Sequence, residues 1–142
     1  MKIDGACHCG QIKYEAEIDP KDVGICHCTD CQTLSGSAFR TFALTREGSF
    51  KFVAGEPTIY GKTAESGAER LQSFCPNCGT PIYSTTVGEG PKVHSLRAGT
   101  IRQRSELPPR FQIWTQSEQD WISNLHSVPK REKQEAVSYG RC

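Results

Sequence analysis

Residues 26–31 read "CHCTDC", which puts three cysteines within six positions, spaced C-x-C-x-x-C. Cysteine-built metal sites usually close with four ligands in a tetrahedron. The remaining cysteines decide where a fourth would come from. Cys7 and Cys9 form a C-x-C in "CHC" (7–9), Cys75 and Cys78 form a C-x-x-C in "FCPNCG" (74–79), and Cys142 stands alone at the end. Two and two close one site: Cys7, Cys9, Cys75 and Cys78. Three are then left: Cys26, Cys28 and Cys31. Joining the triplet to either pair would give five ligands and strand the other pair. The economical reading is one closed zinc site and one open site with three protein ligands. Open sites of this kind are the catalytic ones, because the vacant position can exchange.

The local chemistry agrees. Gly79 after the C-x-x-C lets the chain turn back so that both sulfurs face one ion, with backbone N–H groups free to support them. An extended segment would project Cys7 and Cys9 to one side. Two alternatives stay open. His8 or His27 would complete the second site, although His27 lies between two ligands and would point away in an extended stretch. A cysteine from another chain, Cys142 included, would also close it, although a lone Cys142 on a polar tail reads most simply as a free thiol. His94 and His126 sit in apolar-patterned segments and read as packing or surface residues.

The rest of the 142-residue chain sets the frame. Its length fits one domain, and its formal net charge is +1 with charges of both signs interleaved. That argues against an electrostatically driven nucleic-acid or membrane binder. No apolar run approaches a membrane helix, and "MKIDGACHCG" has no secretory apolar stretch, so a cytoplasmic location is expected. Thiols stay reduced there, which points eight cysteines away from disulfides.

Residues 11–18, "QIKYEAEI", alternate strictly, with Ile12, Tyr14, Ala16 and Ile18 on one face. This is a half-buried antiparallel strand. Further strands are expected at 38–44 and 49–55 around a turn at Glu47-Gly48, then at 58–64, 69–74, 81–87, 92–99 and 110–116. With 13 Gly and 8 Pro, the pattern predicts an all-β domain. Two helical pieces are predicted. One spans about Thr29 to Ser35. The other is "SEQDWISNLH" (117–126), capped by Ser117, with Trp121 and Leu125 on its inner face and Pro129 as its stop. The tail from 129 to 142 is polar and expected to be mobile.

"GACHCGQIKYE" (5–15), "CHCTDCQTLSGSAF" (26–39), "FCPNCGTPIY" (74–83), "RAGTI" (97–101) and "WTQSEQDWI" (114–122), in this order, carry a resemblance. Over roughly residues 3–126 the chain resembles the glutathione-dependent formaldehyde-activating enzyme family, whose domain is shared with centromere protein V. The resemblance implies a mainly β, Mss4-like fold of several coiled antiparallel sheets with short helices, over a domain of residues 1–128. It implies two zinc ions: a structural one on Cys7, Cys9, Cys75 and Cys78, and a catalytic one on Cys26, Cys28 and Cys31. The implied reaction is that of a carbon–sulfur lyase run in the synthetic direction, joining glutathione to formaldehyde as S-(hydroxymethyl)glutathione. One departure stands out. Many members carry an acidic residue where "GTIRQRSEL" has Arg102.

The chemistry asks for donors near the aldehyde oxygen, and Thr29, Thr33, Ser35, Ser37 and the amides around Gly36 are candidates. The carboxylates of glutathione ask for cations, with Arg40, Arg46, Arg70, Arg97 and Arg102 available. Two rival functions belong to other classes. One is a zinc-stabilised binding module for a protein or nucleic acid. The other is a thiol or metal sensor built on the open cluster. A nucleic-acid binder needs a basic stripe with exposed aromatics, which this sequence lacks.

Overall fold

The computed structural model describes residues 1–133; the expected mobility of the tail beyond that point and the role of Cys142 lie outside the described residues. Nine strands follow in chain order: β1 (Lys2–Ala6), β2 (Lys13–Cys26), β3 (Arg40–Thr45), β4 (Lys51–Ala54), β5 (Thr58–Thr63), β6 (Glu69–Phe74), β7 (Pro81–Thr86), β8 (Ser95–Arg97) and β9 (Phe111–Ile113). They pair in the order β1-β2-β3-β8-β7-β6-β5, with β4 and β9 attached to β2. All pairs are antiparallel except β2 with β9, which is parallel. The fold is mainly β, as expected.

β2 outgrows the predicted strand. Its 14 residues continue past Ile18, where the register with β3 shifts between Ile18 and Val23. Before the shift it pairs with β1 and β4 and, at Ile18, with Thr45 of β3; after it, with β3 and β9. The alternation in 11–18 does its predicted job: Ile12, Tyr14, Ala16 and Ile18 are all buried. They form the core with Ile3, Val23, Ala43, Ile82, Leu96 and Ile101.

The two strands expected around the turn at Glu47-Gly48 form, and β3 and β4 pair with different parts of β2. Two readings need correction. β1 is an additional strand. Its "KIDGA" is too short and too Gly-containing for a periodicity signal, yet all five residues pair with β2. The predicted second helix is instead two 3₁₀ turns, Thr115–Ser117 and Asp120–Ser127. Ser117 does not cap it, and Trp121 and Leu125 are exposed, not inward. Serine hydroxyls explain part of this, since Ser123 and Ser127 donate to the carbonyls three residues back, an arrangement of the tighter helix. Gln32 fastens the segment, donating to Ser117 O at 2.8 Å, while Gln119 donates to Gln32 Oε1 at 3.0 Å.

Gly5 is required by close approach. A methyl group there would run into the fully buried ring of Tyr14 and the carbonyl of Thr100. Tyr14 Oη and Thr100 Oγ1 are hydrogen-bonded at 2.7 Å, so the ring has no free direction. Gly5→Ala is therefore expected to cost about 1–3 kcal/mol, read as a lower urea midpoint with an unchanged slope.

His94 packs 4.6 Å from Phe50, nearly parallel, and 4.6 Å edge-on from Tyr83. Burial, aided by the charge of Lys92, holds its pKa below the ordinary value. Folding thus favours the neutral ring. Its contribution should be complete above about pH 6.5 and fall away as pH drops through the lowered folded value. Stability measured against pH should show this acid-side slope, and His94→Phe should flatten it.

Candidate metal centres and active-site cleft

Two matching turns gather the first four cysteines. In one, Cys7 N–H bonds Ile12 O and Gly10 N–H bonds Cys7 O, both at 3.0 Å. In the other, Cys75 N–H bonds Thr80 O and Gly79 N–H bonds Cys75 O, both at 2.9 Å. Gly10 and Gly79 have φ of 78° and 71°, the left-handed conformation that closes each turn. The C-x-C thus sits in a turn, not on the extended segment expected from spacing. The four sulfurs lie within 4.8 Å of one another, with Cys7 to Cys9 at 3.5 Å and Cys9 to Cys75 at 3.8 Å. Bonds of ~2.3 Å from a tetrahedral zinc to sulfur imply sulfur–sulfur edges of about 3.8 Å. The four-cysteine cluster fits such an ion and could hold one.

Donors around the sulfurs favour their thiolate forms unevenly. Ile12 N–H donates to Cys7 Sγ at 3.2 Å. Thr80 lies 3.1 Å from Cys78 Sγ through its hydroxyl and, with its backbone N–H, pulls that thiol down to about 5. Burial pushes the Cys75 thiol up to about 11. A bound cation would compensate that cost.

The triplet lies where β2 ends and the helix α1 (Thr29–Ser35) begins. Cys28 is the N-cap, its sulfur accepting from Cys31 N–H at 3.3 Å. The sulfurs of Cys26, Cys28 and Cys31 lie within 4.8 Å of one another, and no other His, Asp or Glu joins this group among the described residues. The triad could hold a second metal ion. His27 is fully buried and turned to Gln112, its Nε2 2.7 Å from Oε1, with its ring against Phe39. It does not close the site. The Cys31 thiol is held down to about 6, first by a hydrogen bond from Cys26 and, against burial, by the charges of Arg40 and Arg97. Cys26 moves the opposite way, as donor of that bond and through burial.

The triad opens onto a cleft of ≈ 380 Å³. Its floor is one face of the sheet. Arg40, Phe42 and Leu44 alternate along β3, Ser95 and Arg97 along β8, and Arg70 and Gln72 along β6, all lining the cleft. The intervening Ala43 and Leu96 go to the core. Register sets the neighbours: Cys26 is directly opposite Arg40 on β3 and aligned with Ile113 on β9. Phe111, Ile113 and Trp114 form an apolar wall. Lys62 and Asp30 close another side as an ion pair.

With this geometry established, comparison with known proteins is informative. The sequence profile of the family described as glutathione-dependent formaldehyde-activating enzyme matches residues 2–117. The chain belongs to that family. A curated relative, an "uncharacterized lyase" of Schizosaccharomyces pombe, is 37% identical over 92 residues. The match spans 63% of this chain and 63% of that relative. A Rhodobacter sphaeroides crystal structure shares the fold, with a TM-score of 0.58 at 20% identity over 77% of this chain and 98% of the other. Among the described residues, no helix is long and apolar enough to cross a membrane.

Within this family frame, the structure sorts the candidates read from the sequence. Of the five arginines, Arg40, Arg70 and Arg97 reach the cleft. Arg102 instead pairs with Asp4 on the surface, and Arg46 lines neither the cleft nor the wider groove of ≈ 1420 Å³ along β1 and β2, which Arg40 and Arg97 also border. Thr29, Thr33, Ser35, Gly36 and Ser37 do not line the cleft; Ser35 donates to Gln32 O and Phe39 O as part of the helix end. Sequence reasoning missed Thr80, Lys62 and Trp114. Trp114 holds a left-handed backbone at φ 58°, the one such non-glycine residue among those described. That conformation costs about 1–3 kcal/mol and is found preferentially at functional sites. Only a residue's backbone angle reveals it.

Cys75→Ser should remove one metal equivalent and most of the cooperative unfolding transition, since a structural ion contributes its binding energy to folding. Metal content by mass spectrometry and melting by circular dichroism check this. A variant that melts normally with its metal complement intact would defeat the four-cysteine assignment.

Proposed function

We propose that the chain is a zinc-dependent carbon–sulfur lyase working in the synthetic direction, joining glutathione to formaldehyde in the cytoplasm to give the S-hydroxymethyl adduct. In this reading Cys7, Cys9, Cys75 and Cys78 hold a structural zinc ion, and Cys26, Cys28 and Cys31 hold a catalytic one. One observation carries it: the three-cysteine cluster, and not the four-cysteine one, opens onto a cation-lined cleft. Family membership supports the reaction class.

When bound, zinc supplies an exchangeable fourth position and the acidity that keeps an incoming thiol deprotonated at neutral pH. The chain's own residues do the rest. Arg40 and Arg97 offset the negative charge gathered at the triad. Phe111, Ile113 and Trp114 border the triad on its apolar side and limit the directions from which a reactant can approach. Sulfur and carbonyl carbon are held together, which supplies acceleration by proximity. A carbon–sulfur bond forms, the carbonyl π pair moves to oxygen, and that oxygen takes up the proton lost by the thiol. No redox change occurs and nothing leaves.

Cys28→Ser separates this function from folding. Serine is a good N-cap, so α1 should persist. Two remaining thiolates are too few for a stable mononuclear site. The variant is expected to melt within a few degrees of wild type while losing catalysed hemithioacetal formation from glutathione and formaldehyde, read by exchange NMR. A wild-type protein that gives no acceleration over the uncatalysed rate would rule out formaldehyde as its substrate.

A further inference from the structure

The cleft contains more positive charge than its own acids balance. Arg40 and Arg97 are only 4% and 7% exposed, and the Nε of each is buried without a hydrogen-bond partner. Arg97 donates to two neutral acceptors, Gln72 Oε1 at 2.6 Å and Ser95 O at 3.3 Å. The three salt bridges among the described residues engage Lys51, Lys62 and Arg102, leaving these arginines without a carboxylate partner. Of the acids lining the cleft, Asp30 is taken by Lys62 and Glu65 is exposed. Burying a guanidinium without an anion is costly.

The triad supplies part of the missing charge. Three thiolates around a divalent cation carry one net negative charge, and an incoming thiolate adds a second. Set against Arg40, Arg70 and Arg97, these two would leave one positive charge that only the exposed Glu65 could offset. Its position is set by register, because Arg40 is directly opposite Cys26, and side chains so paired start about 5 Å apart at Cβ. The uncompensated charge therefore lies beside the reacting atoms, not at a remote edge. Guanidinium groups match a carboxylate with paired, charge-assisted hydrogen bonds. In glutathione both carboxylates are several bonds from the sulfur.

We infer that Arg40 and Arg97, with Arg70 beside them, form a carboxylate seat next to the cysteine triad, so that the cleft selects a reactant whose carboxylate lies within a few bonds of the atom that reacts. This rests on the lyase reading only for its reaction class, a thiol joined to a carbonyl carbon, and puts a carboxylate-bearing reactant in place of glutathione or of formaldehyde; the seat itself does not rest on that reading. The carboxylate has two possible sources, a short thiol acid or an α-oxo acid. The bond changes are the same for both, with sulfur adding to the carbonyl carbon and the thiol proton going to the carbonyl oxygen.

Binding is tested first, on the purified full chain, with propionate against propionamide, read by the fluorescence of Trp114 in the cleft. Propionate should bind and the amide should not, in wild type and in Cys28→Ser alike. Arg40→Gln and Arg97→Gln should each weaken propionate at least about tenfold; Arg40→Lys serves as a second variant should either glutamine variant fail to fold. Equal binding of acid and amide would overturn the seat. So would propionate binding that is lost in Cys28→Ser but kept in the arginine variants, since the anion would then belong to the metal. Turnover separates the sources. Glyoxylate with 2-mercaptoethanol, and formaldehyde with 3-mercaptopropionate, are compared with the neutral pair formaldehyde and 2-mercaptoethanol. At least one anionic pair should exceed the neutral pair about tenfold, and this ratio should approach one in Arg97→Gln. A wild-type ratio of one would overturn the selection. If no pair is accelerated while propionate binds as stated, the lyase reading fails and the seat stands.

Discussion

The hydrogen-bond ladder of β2 is the constraint on which everything else in this chain depends. This one strand shares its backbone donors and acceptors with β1, β3, β4 and β9. It begins just after the Cys7–Gly10 turn and ends at Cys26, so a single run of backbone joins the two cysteine clusters. The register shift between Ile18 and Val23 lets its first half cover the core with β1 and β4 while its second half enters the sheet that floors the cleft. Such a shift adds twist and redirects side chains. Without it, Cys26 would have no reason to lie opposite Arg40.

The two clusters use the same donor atom under different access. The four-cysteine group ties the start of the chain to the β6–β7 connection, with Cys7 and Cys75 buried. Four thiolates at such spacing repel strongly unless a cation lies among them, so the arrangement couples charge neutralisation to the joining of distant segments. Among the described residues, no second segment joins the triad. Its surroundings are instead the face of a sheet that presents Arg40, Phe42, Arg70 and Arg97 to the cleft. In one place sulfur closes a structure; in the other it borders a space that a ligand can enter.

That space is maintained at some cost. Two arginines are buried, and Trp114 holds a left-handed backbone. Burial pulls Arg97 down to about 9, with the nearby charge of Arg40 adding to the effect. Features of this kind do not serve packing. They concentrate around the triad, while the four-cysteine cluster is built from ordinary turns and backbone hydrogen bonds.

Much of this was legible in the residues alone. Strict alternation in 11–18 named four core side chains, because a period of two in a sheet leaves no other way to bury them. Cysteine spacing divided seven sulfurs correctly into four and three, since ligand number is a property of the ion and not of the fold. The short helix expected from Thr29 to Ser35 forms as α1, with Cys28 as its N-cap. Pairing partners were another matter: the turn at Glu47-Gly48 says nothing of which strands β3 and β4 meet, and β1 carries almost no signal, because which strands meet depends on long-range contacts that no local pattern encodes. The second helix failed for a related reason. Trp121 and Leu125 have helical spacing, but no apolar surface among the described residues covers them, and Gln32 holds the segment as tight turns. The sequence reading named five of the nine arginines as candidates for an anionic ligand. Only the register of β3 against β2 and β8 determined that Arg40 and Arg97 share the cleft with the cysteines, because in a sheet the side chains that meet are set by cross-strand alignment and not by distance along the chain.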